Sequence, residues 1–289
     1  VWLTPFFGEA LETKVFALAF GVLAAGVAQA AFQLPVLRRE GFRYQWVSPW
    51  RDETVRQVVR QMIPGTIGVA AFQINVLLTQ GLAFWMDTPD APIVAPFNYA
   101  VRLMELPQGV FGISLATYLL PTLAGLAAEK KYPDFRATLG QGLGHLIFVN
   151  ALASVLLLVL AEPIVRLLFE RGEFTALSTS RATLALACLA PGLIAFSMVN
   201  ILARAFYALG DTQTPMRISL VCLALNLVFA LWLISPLRQG GLGIANTLSA
   251  VFNVGLLLYA LRRKLQTLEL AVLRQNLLRV LAATLLAGL

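Results

Sequence analysis

The chain has 289 residues, 58% of them hydrophobic and 13% charged, with a mean hydropathy of +0.76. A soluble domain covers its surface with about 25% charged residues, so this composition excludes one, together with disorder, collagen and a disulfide scaffold. The net charge of +7 is spread between apolar segments, a pattern that argues against nucleic acid and matches the cytoplasmic loops of a membrane protein.

A bilayer core of about 30 Å is crossed by about 20 apolar residues in a helix. In chain order the predicted spans are 11–35, 60–84, 93–124, 139–161, 182–208, 216–236 and 242–261, with the start of an eighth at 277–289. The fold class is therefore all-α and polytopic, with about seven complete transmembrane helices. The chain stops inside an apolar run and does not begin with Met, which reads as part of a longer protein. Span 93–124 is longer than a crossing needs and holds Pro96, Pro107, Gly109, Gly112 and Pro121, so a kink or break is expected in it. The polar stretch 36–57 is the expected boundary between two lobes, and 266–276 a second linker.

Lysine and arginine set the orientation. Fifteen of them flank 36–57, 127–138, 209–215 and 262–276, whereas five lie near 85–92, 162–181, 237–241 and the start of the chain. The first set of loops is therefore expected to be cytoplasmic and the second to face outward.

Within span 93–124, Asn98, Arg102 and Glu105 are spaced by four and three, which places them on one helical face. An arginine at bilayer depth costs about 2.5–3.5 kcal/mol on insertion scales, so it faces a protein interior or a wet cavity. Two readings follow. Arg102 binds an anionic substrate group that Glu105 orients, or the two form an intrahelical ion pair that fixes packing. A second polar set is uncharged: Gln73, Asn75, Thr79, Gln80, Asn150, Asn200, Asn226, Asn246, Thr247 and Asn253. These line a hydrated pathway or, for most of them, make interhelical hydrogen bonds. Arg204 is expected to snorkel to the cytoplasmic interface. Asp211 is expected to cap the next helix, with Pro215 in its first turn.

Signals for chemistry are sparse. Cys188 and Cys222 stand alone inside apolar runs as small hydrophobes. His145 is the only histidine, which disfavours a zinc or Ser-His-Asp site. The run from Gly140 to Gly144 lacks a phosphate-loop lysine and reads as small residues for close helix contact. No cofactor and no enzymatic reaction are expected.

The run Asn98-Tyr99-Ala100-Val101-Arg102-Leu103-Met104-Glu105-Leu106-Pro107-Gln108-Gly109-Val110-Phe111-Gly112, continuing to Tyr118-Leu119-Leu120-Pro121, resembles the signature helix of the MurJ/MviN lipid II flippases of the MOP exporter superfamily. Leu168-Phe169-Glu170-Arg171-Gly172-Glu173-Phe174-Thr175 is similar to that family's outward loop. The segment from Arg204 to Pro215 is similar to its cytoplasmic turn. The resemblance implies a MOP-type bundle in the bacterial inner membrane. Residues 1–57 would hold the last helix of the N-lobe and the cytoplasmic interlobe loop, 58–264 the six-helix C-lobe, and 265–289 a linker and the start of the penultimate helix. The first five helices of the family would be absent.

It also implies the activity: lipid II, the polyprenyl-pyrophosphate-linked peptidoglycan precursor, moved from the inner to the outer leaflet by alternating access. The alternative is another MOP-type exporter, of lipid-linked oligosaccharide or drugs. Arg102 matches the family's cavity arginine in the signature helix, with Glu105 and Asn98 supporting it at the headgroup. The partners implied are lipid II and membrane lipids, with a coupling ion or the membrane potential as energy source. Asn75, Thr79, Asn226 and Thr247 are the expected pathway or ion-site residues. Where some members carry sodium-binding acids, this chain has Thr79 and Ala230, so no sodium site is expected.

Overall fold

An apolar chain in lipid must satisfy every backbone polar group internally, and a helix does so within one segment. The computed structural model of the chain describes residues 11–41, 52–88 and 92–265, and these are helical almost throughout. The expected eighth span at 277–289 and the linker 266–276 lie outside the described residues, as do Arg43, Arg51 and the rest of 42–51. Two compact units divide the chain, Val1–Gln57 and Val58–Leu289. The first carries α1 (Leu11–Arg39), which has Pro35 near its end and closes on Arg38 and Arg39.

The second unit holds α2 (Glu53–Trp85) from Val58 onward, α3 (Val94–Pro107), α4 (Ser114–Ala128), α5 (Tyr132–Val159), α6 (Ala161–Phe169), α7 (Ala176–Leu189), α8 (Leu193–Ala208) and α9 (Gln213–Leu265). Among the described residues six helices are long and apolar enough to cross a membrane. The seven complete spans read from sequence are accommodated within these six. At 53 residues α9 would run about 80 Å as one rod, far more than one crossing. It is instead a hairpin. Arg238 has φ 48° and ψ −125°, outside helical geometry. The arms lie antiparallel, as shown by Asn226 donating to Asn246 at 2.9 Å and the Ser249 hydroxyl donating to the Cys222 carbonyl at 2.9 Å.

The break expected in span 93–124 takes a definite form. Pro107 has no N–H for the carbonyl four residues back, and α3 gives way to a π-helical segment, Gln108–Ile113, before α4 resumes. Across it the Ser114 hydroxyl donates to the Gly109 carbonyl at 3.3 Å. A second interruption separates α7 from α8, a 3-10 turn at Ala190–Gly192 containing Pro191. The Ser154 hydroxyl donates to the Ala190 carbonyl at 2.7 Å, and the Thr247 hydroxyl to the Cys188 carbonyl at 3.0 Å. Two neighbouring spans thus satisfy carbonyls beside the broken helix.

Two departures from the sequence reading have simple causes. Helix α5 begins seven residues before position 139, because Pro133 and Asp134 make a favourable first turn outside the apolar run. Helix α6 was expected to be outward loop. Its nine residues are too few to span, but Ala161 and Val165 are buried and Arg166 pairs with Glu162 at 2.8 Å on the outer face.

The core forms two apolar clusters. One gathers Ile93, Phe97, Ala100, Met104, Leu186, Leu189 and Leu193. The other gathers Leu119, Leu123, Phe135, Leu143, Ile201, Phe206 and Leu261. Between them on α5 and α8 lies a buried polar seam: the Ser197 hydroxyl donates to Asn150 Oδ1 at 3.2 Å, and Asn150 Nδ2 donates to the Leu146 carbonyl at 2.9 Å. Gly142 lies so close to Leu119 that a Cβ would sit 2.5 Å from Leu119 Cδ1, the close contact expected of the glycine run. A Cβ at Gly140 would meet nothing within 4 Å.

Candidate functional site

Helix α3 is two-faced by spacing. Pro96, Phe97, Ala100, Met104 and Pro107 are buried, and Arg102 and Glu105 project from the opposite side. Its start is held from a distance: the Asp87 carboxylate accepts from the backbone N–H groups of Ile93 and of Val94, the latter at 3.2 Å. That places a negative charge at the helix N-terminus, where the dipole favours it.

On the open face Arg102 Nη1 donates to Glu105 Oε2 at 2.8 Å. The pair is uncovered, with side-chain exposures of 76% and 51%. The ion pair that the spacing allows is formed, and Arg102 is exposed on its helical face. The bond lies within α3 and joins positions three residues apart. A guanidinium has five donors in a fork, and one such bond leaves others to meet an anion. Asn98 is placed differently. It exchanges hydrogen bonds with Gln80 of α2, donating to Gln80 Oε1 at 3.2 Å and accepting from Gln80 Nε2. It ties α2 to α3 one turn from Arg102 and does not contact the ion pair.

Two of the neutral polar residues, Asn75 and Asn226, converge on a third, Asn246. Its Oδ1 accepts from Asn226 Nδ2 at 2.9 Å and from Asn75 Nδ2 at 3.4 Å, joining α2 to both arms of the α9 hairpin. Thr79 follows Asn75 by one turn and is buried. Ala230 follows Asn226 by one turn and is also buried. Thr247 points away from the amides, to the Cys188 carbonyl. Only amides and hydroxyls meet here. Among the described residues no three His, Cys, Asp or Glu side chains converge.

Three contacts were not visible in sequence. Tyr99, the next residue after Asn98, packs on Phe169 with centroids 4.5 Å apart and edge-on to Phe174 at 5.1 Å. Those phenylalanines flank a turn at Gly172, whose φ of +60° favours glycine. The turn between α6 and α7 thus clamps the helix that bears Arg102. Arg204, expected to snorkel to the interface, has partners on a neighbouring helix. Its guanidinium donates to the Thr117 hydroxyl and to the Ile113 carbonyl at 3.5 Å, where the π segment meets α4. His145 lines an open groove of about 390 Å³ with Val110, Phe111, Ser114, Tyr118 and Val149.

At the turn between α8 and α9 Asp211 does cap α9, accepting from the Thr214 N–H at 3.0 Å and hydroxyl at 2.8 Å. Lys264 Nζ adds a third bond at 2.7 Å. Burial pushes the Asp211 carboxyl upward. The Lys264 and Thr214 hydrogen bonds and the Lys264 charge outweigh it and hold the group below its ordinary value.

Comparison with known proteins bears on what these residues serve. The family model described as lipid II flippase MurJ matches residues 3–289. A probable lipid II flippase MurJ of Haemophilus influenzae is 35% identical over 259 residues, covering 87% of this chain and 50% of that protein. One from Vibrio cholerae is 34% identical over 247 residues, covering 86% and 46%. The chain spans about half the length of the curated relatives it matches. A solved lipid II flippase MurJ in an inward closed conformation superposes with a TM-score of 0.74 at 18% identity, over 99% of this chain and 56% of that one. A MOP superfamily transporter from Pyrococcus furiosus superposes with a TM-score of 0.62, also at 18% identity, over 80% and 52%. The likeness to both establishes a MOP-type transporter fold.

Proposed function

Because the chain belongs to the lipid II flippase MurJ family, a family of multi-pass inner-membrane transporters, we propose that it works in moving lipid II from the inner to the outer leaflet. The family match over residues 3–289 carries this reading. Translocation makes and breaks no covalent bond, so the work asked of the protein is recognition and alternating exposure. In this reading residues 58–264 form the C-lobe. Residues 1–57 carry the last N-lobe helix with the interlobe loop, and 265–289 the linker and the start of the penultimate helix.

Arg102 is the residue we assign to the pyrophosphate. Its open side chain and the forked geometry of a guanidinium support this, since phosphate oxygens are met bidentately. Glu105 orients the guanidinium and neutralises it when the headgroup is absent. Asn98 fixes the height of α3 against α2 through Gln80. Asn75 and Asn226, joined through Asn246 with Thr79 one turn from Asn75, are neutral and support a polar pathway better than a sodium site, whereas Thr247 bonds the Cys188 carbonyl apart from them. The membrane potential or protons then remain as drivers.

The test uses the intact parent gene in cells depleted of their own flippase, with lipid II at the outer leaflet as readout. Rescue by wild type and failure of a well-expressed Arg102→Ala variant is the expected result. Equal rescue by both would remove Arg102 from the headgroup site. Failure of a well-expressed wild type would overturn the function and turn attention to other lipid-linked exporters.

A further inference from the structure

A π turn contains one residue more than the α turn it replaces. It therefore rotates everything before it relative to everything after it by about 100°. The π segment Gln108–Ile113 stands between the face bearing Arg102 and the body of α4, so its presence sets the direction in which that face points. Such a segment persists only where neighbours hold it.

Here the neighbour is α8. A Cβ at Gly112 would lie 2.8 Å from Ser197 Oγ, so α8 is pressed against the segment with no room to spare. Ser197 is itself anchored on Asn150. Seven residues further along the same face of α8, Arg204 reaches the other end of the segment. It donates to the Ile113 carbonyl and to the Thr117 hydroxyl, and that hydroxyl donates to the same carbonyl at 2.8 Å. The last carbonyl of the π segment is thus gripped by two side chains, one of them charged.

We propose that Arg204 is a positioning residue for the headgroup site: it holds the π segment, and through it the rotational register of Arg102, without touching the substrate. The inference rests on the assignment of Arg102 to the headgroup. Releasing the Ile113 carbonyl lets the π turn relax to α geometry, and the face bearing Arg102 and Glu105 turns relative to α4.

The experiment uses the full-length protein in nanodiscs, with Cys188→Ala and Cys222→Ala. Spin labels go at Leu106→Cys on α3 and Tyr118→Cys on α4, positions 68% and 73% exposed on either side of the π segment. Adding or removing the π turn changes the separation of two labels twelve residues apart by about 5 Å. We expect that shift in Arg204→Met and in Thr117→Val. Lipid II flipping falls about tenfold in each, no further in the double variant, and is largely restored by Arg204→Lys. An unchanged distance in Arg204→Met overturns the proposal, as does a double variant whose loss is the product of the two single losses. If Arg204→Met does not accumulate, Thr117→Val decides by the same distance. A shifted distance in a protein whose wild type does not flip lipid II would retain the clamp and remove the headgroup role.

Discussion

Lys264 donates to Asp211 across 2.7 Å, joining the last turn of the α9 hairpin to the residue that caps its first. Two spans more than fifty residues long in total are thereby closed at their open end by one ion pair. Because the folded Asp211 carboxyl sits below its ordinary value of 3.8, the stability it contributes is fully present above that value. It is lost as pH falls through the lower, folded one. Thermal unfolding in detergent should therefore show a lower Tm for Asp211→Asn near neutrality, with the gap to wild type closing in the acid range. A gap that persists unchanged to the most acid pH would mean that the cap is not electrostatic.

Asn246 is the acceptor that two helices share. Truncation by Asn246→Ala removes both bonds and leaves the amides of Asn75 and Asn226 without it. Interhelical hydrogen bonds in membranes are worth about 0.6 kcal/mol each on average, so a loss of about 1 kcal/mol is expected. Asn75→Ala should cost less, because the Asn226 bond survives. The order of the two Tm values checks this: a more damaging Asn75→Ala would contradict the shared-acceptor geometry.

How far these features could be read beforehand varied with their range in sequence. The spans and the broken helix at Pro107 were legible because hydropathy and proline act within a few residues. So was the cap at Asp211, whose partner Thr214 is three positions away. The other half of that cap was not, since Lys264 lies 53 residues on. Arg204 was read as an interfacial side chain because nothing near it in sequence shows the carbonyl of Ile113, 91 residues earlier. Asn246 looked like any other membrane asparagine until α2 and the first arm of α9 were brought to it. The helical face shared by Arg102 and Glu105 was legible from spacing alone, whereas the diversion of Asn98 to Gln80 needed a second helix.

Gly112 should tolerate no side chain. A methyl group there meets Ser197 Oγ at 2.8 Å and Ser197 Cβ at 3.1 Å. Overpacking of this kind costs about 1–3 kcal/mol. Gly112→Ala should lower the Tm, and adding Ser197→Ala should recover part of the loss by removing the nearer atom. Gly109→Ala, three residues away, meets nothing within 4 Å and serves as the control. Equal losses at both glycines would point to helix flexibility in place of the contact with α8.

The turn between α6 and α7 reports on the same helix from its other end. Tyr99 is wedged between Phe169 and Phe174, and each aromatic pair adds about 0.5–1.5 kcal/mol beyond its buried area. Phe169→Ala should therefore lower the Tm and loosen α3 at its start. Faster amide exchange should follow over residues 94–100, with less change in α5. Exchange rising uniformly through the bundle would instead mean that Phe169 supports the whole core.

The ion pair of Arg102 and Glu105 separates the two readings that spacing alone left open. If it fixed helix packing, breaking it would destabilise the protein. With both side chains more than half exposed, pairs of this kind contribute about 0–1 kcal/mol. Glu105→Gln and Arg102→Ala should then unfold within a few degrees of wild type, since about 1 kcal/mol moves Tm by only about 2–4 °C in a protein of this size. Lipid II flipping should respond unequally. Arg102→Ala loses the donor to the phosphate, whereas Glu105→Gln keeps an acceptor for the guanidinium and loses only its neutralising charge. A flipping defect ranked Arg102→Ala over Glu105→Gln at unchanged Tm identifies the arginine as the working member of the pair. A large Tm loss in either variant would return the pair to a packing role.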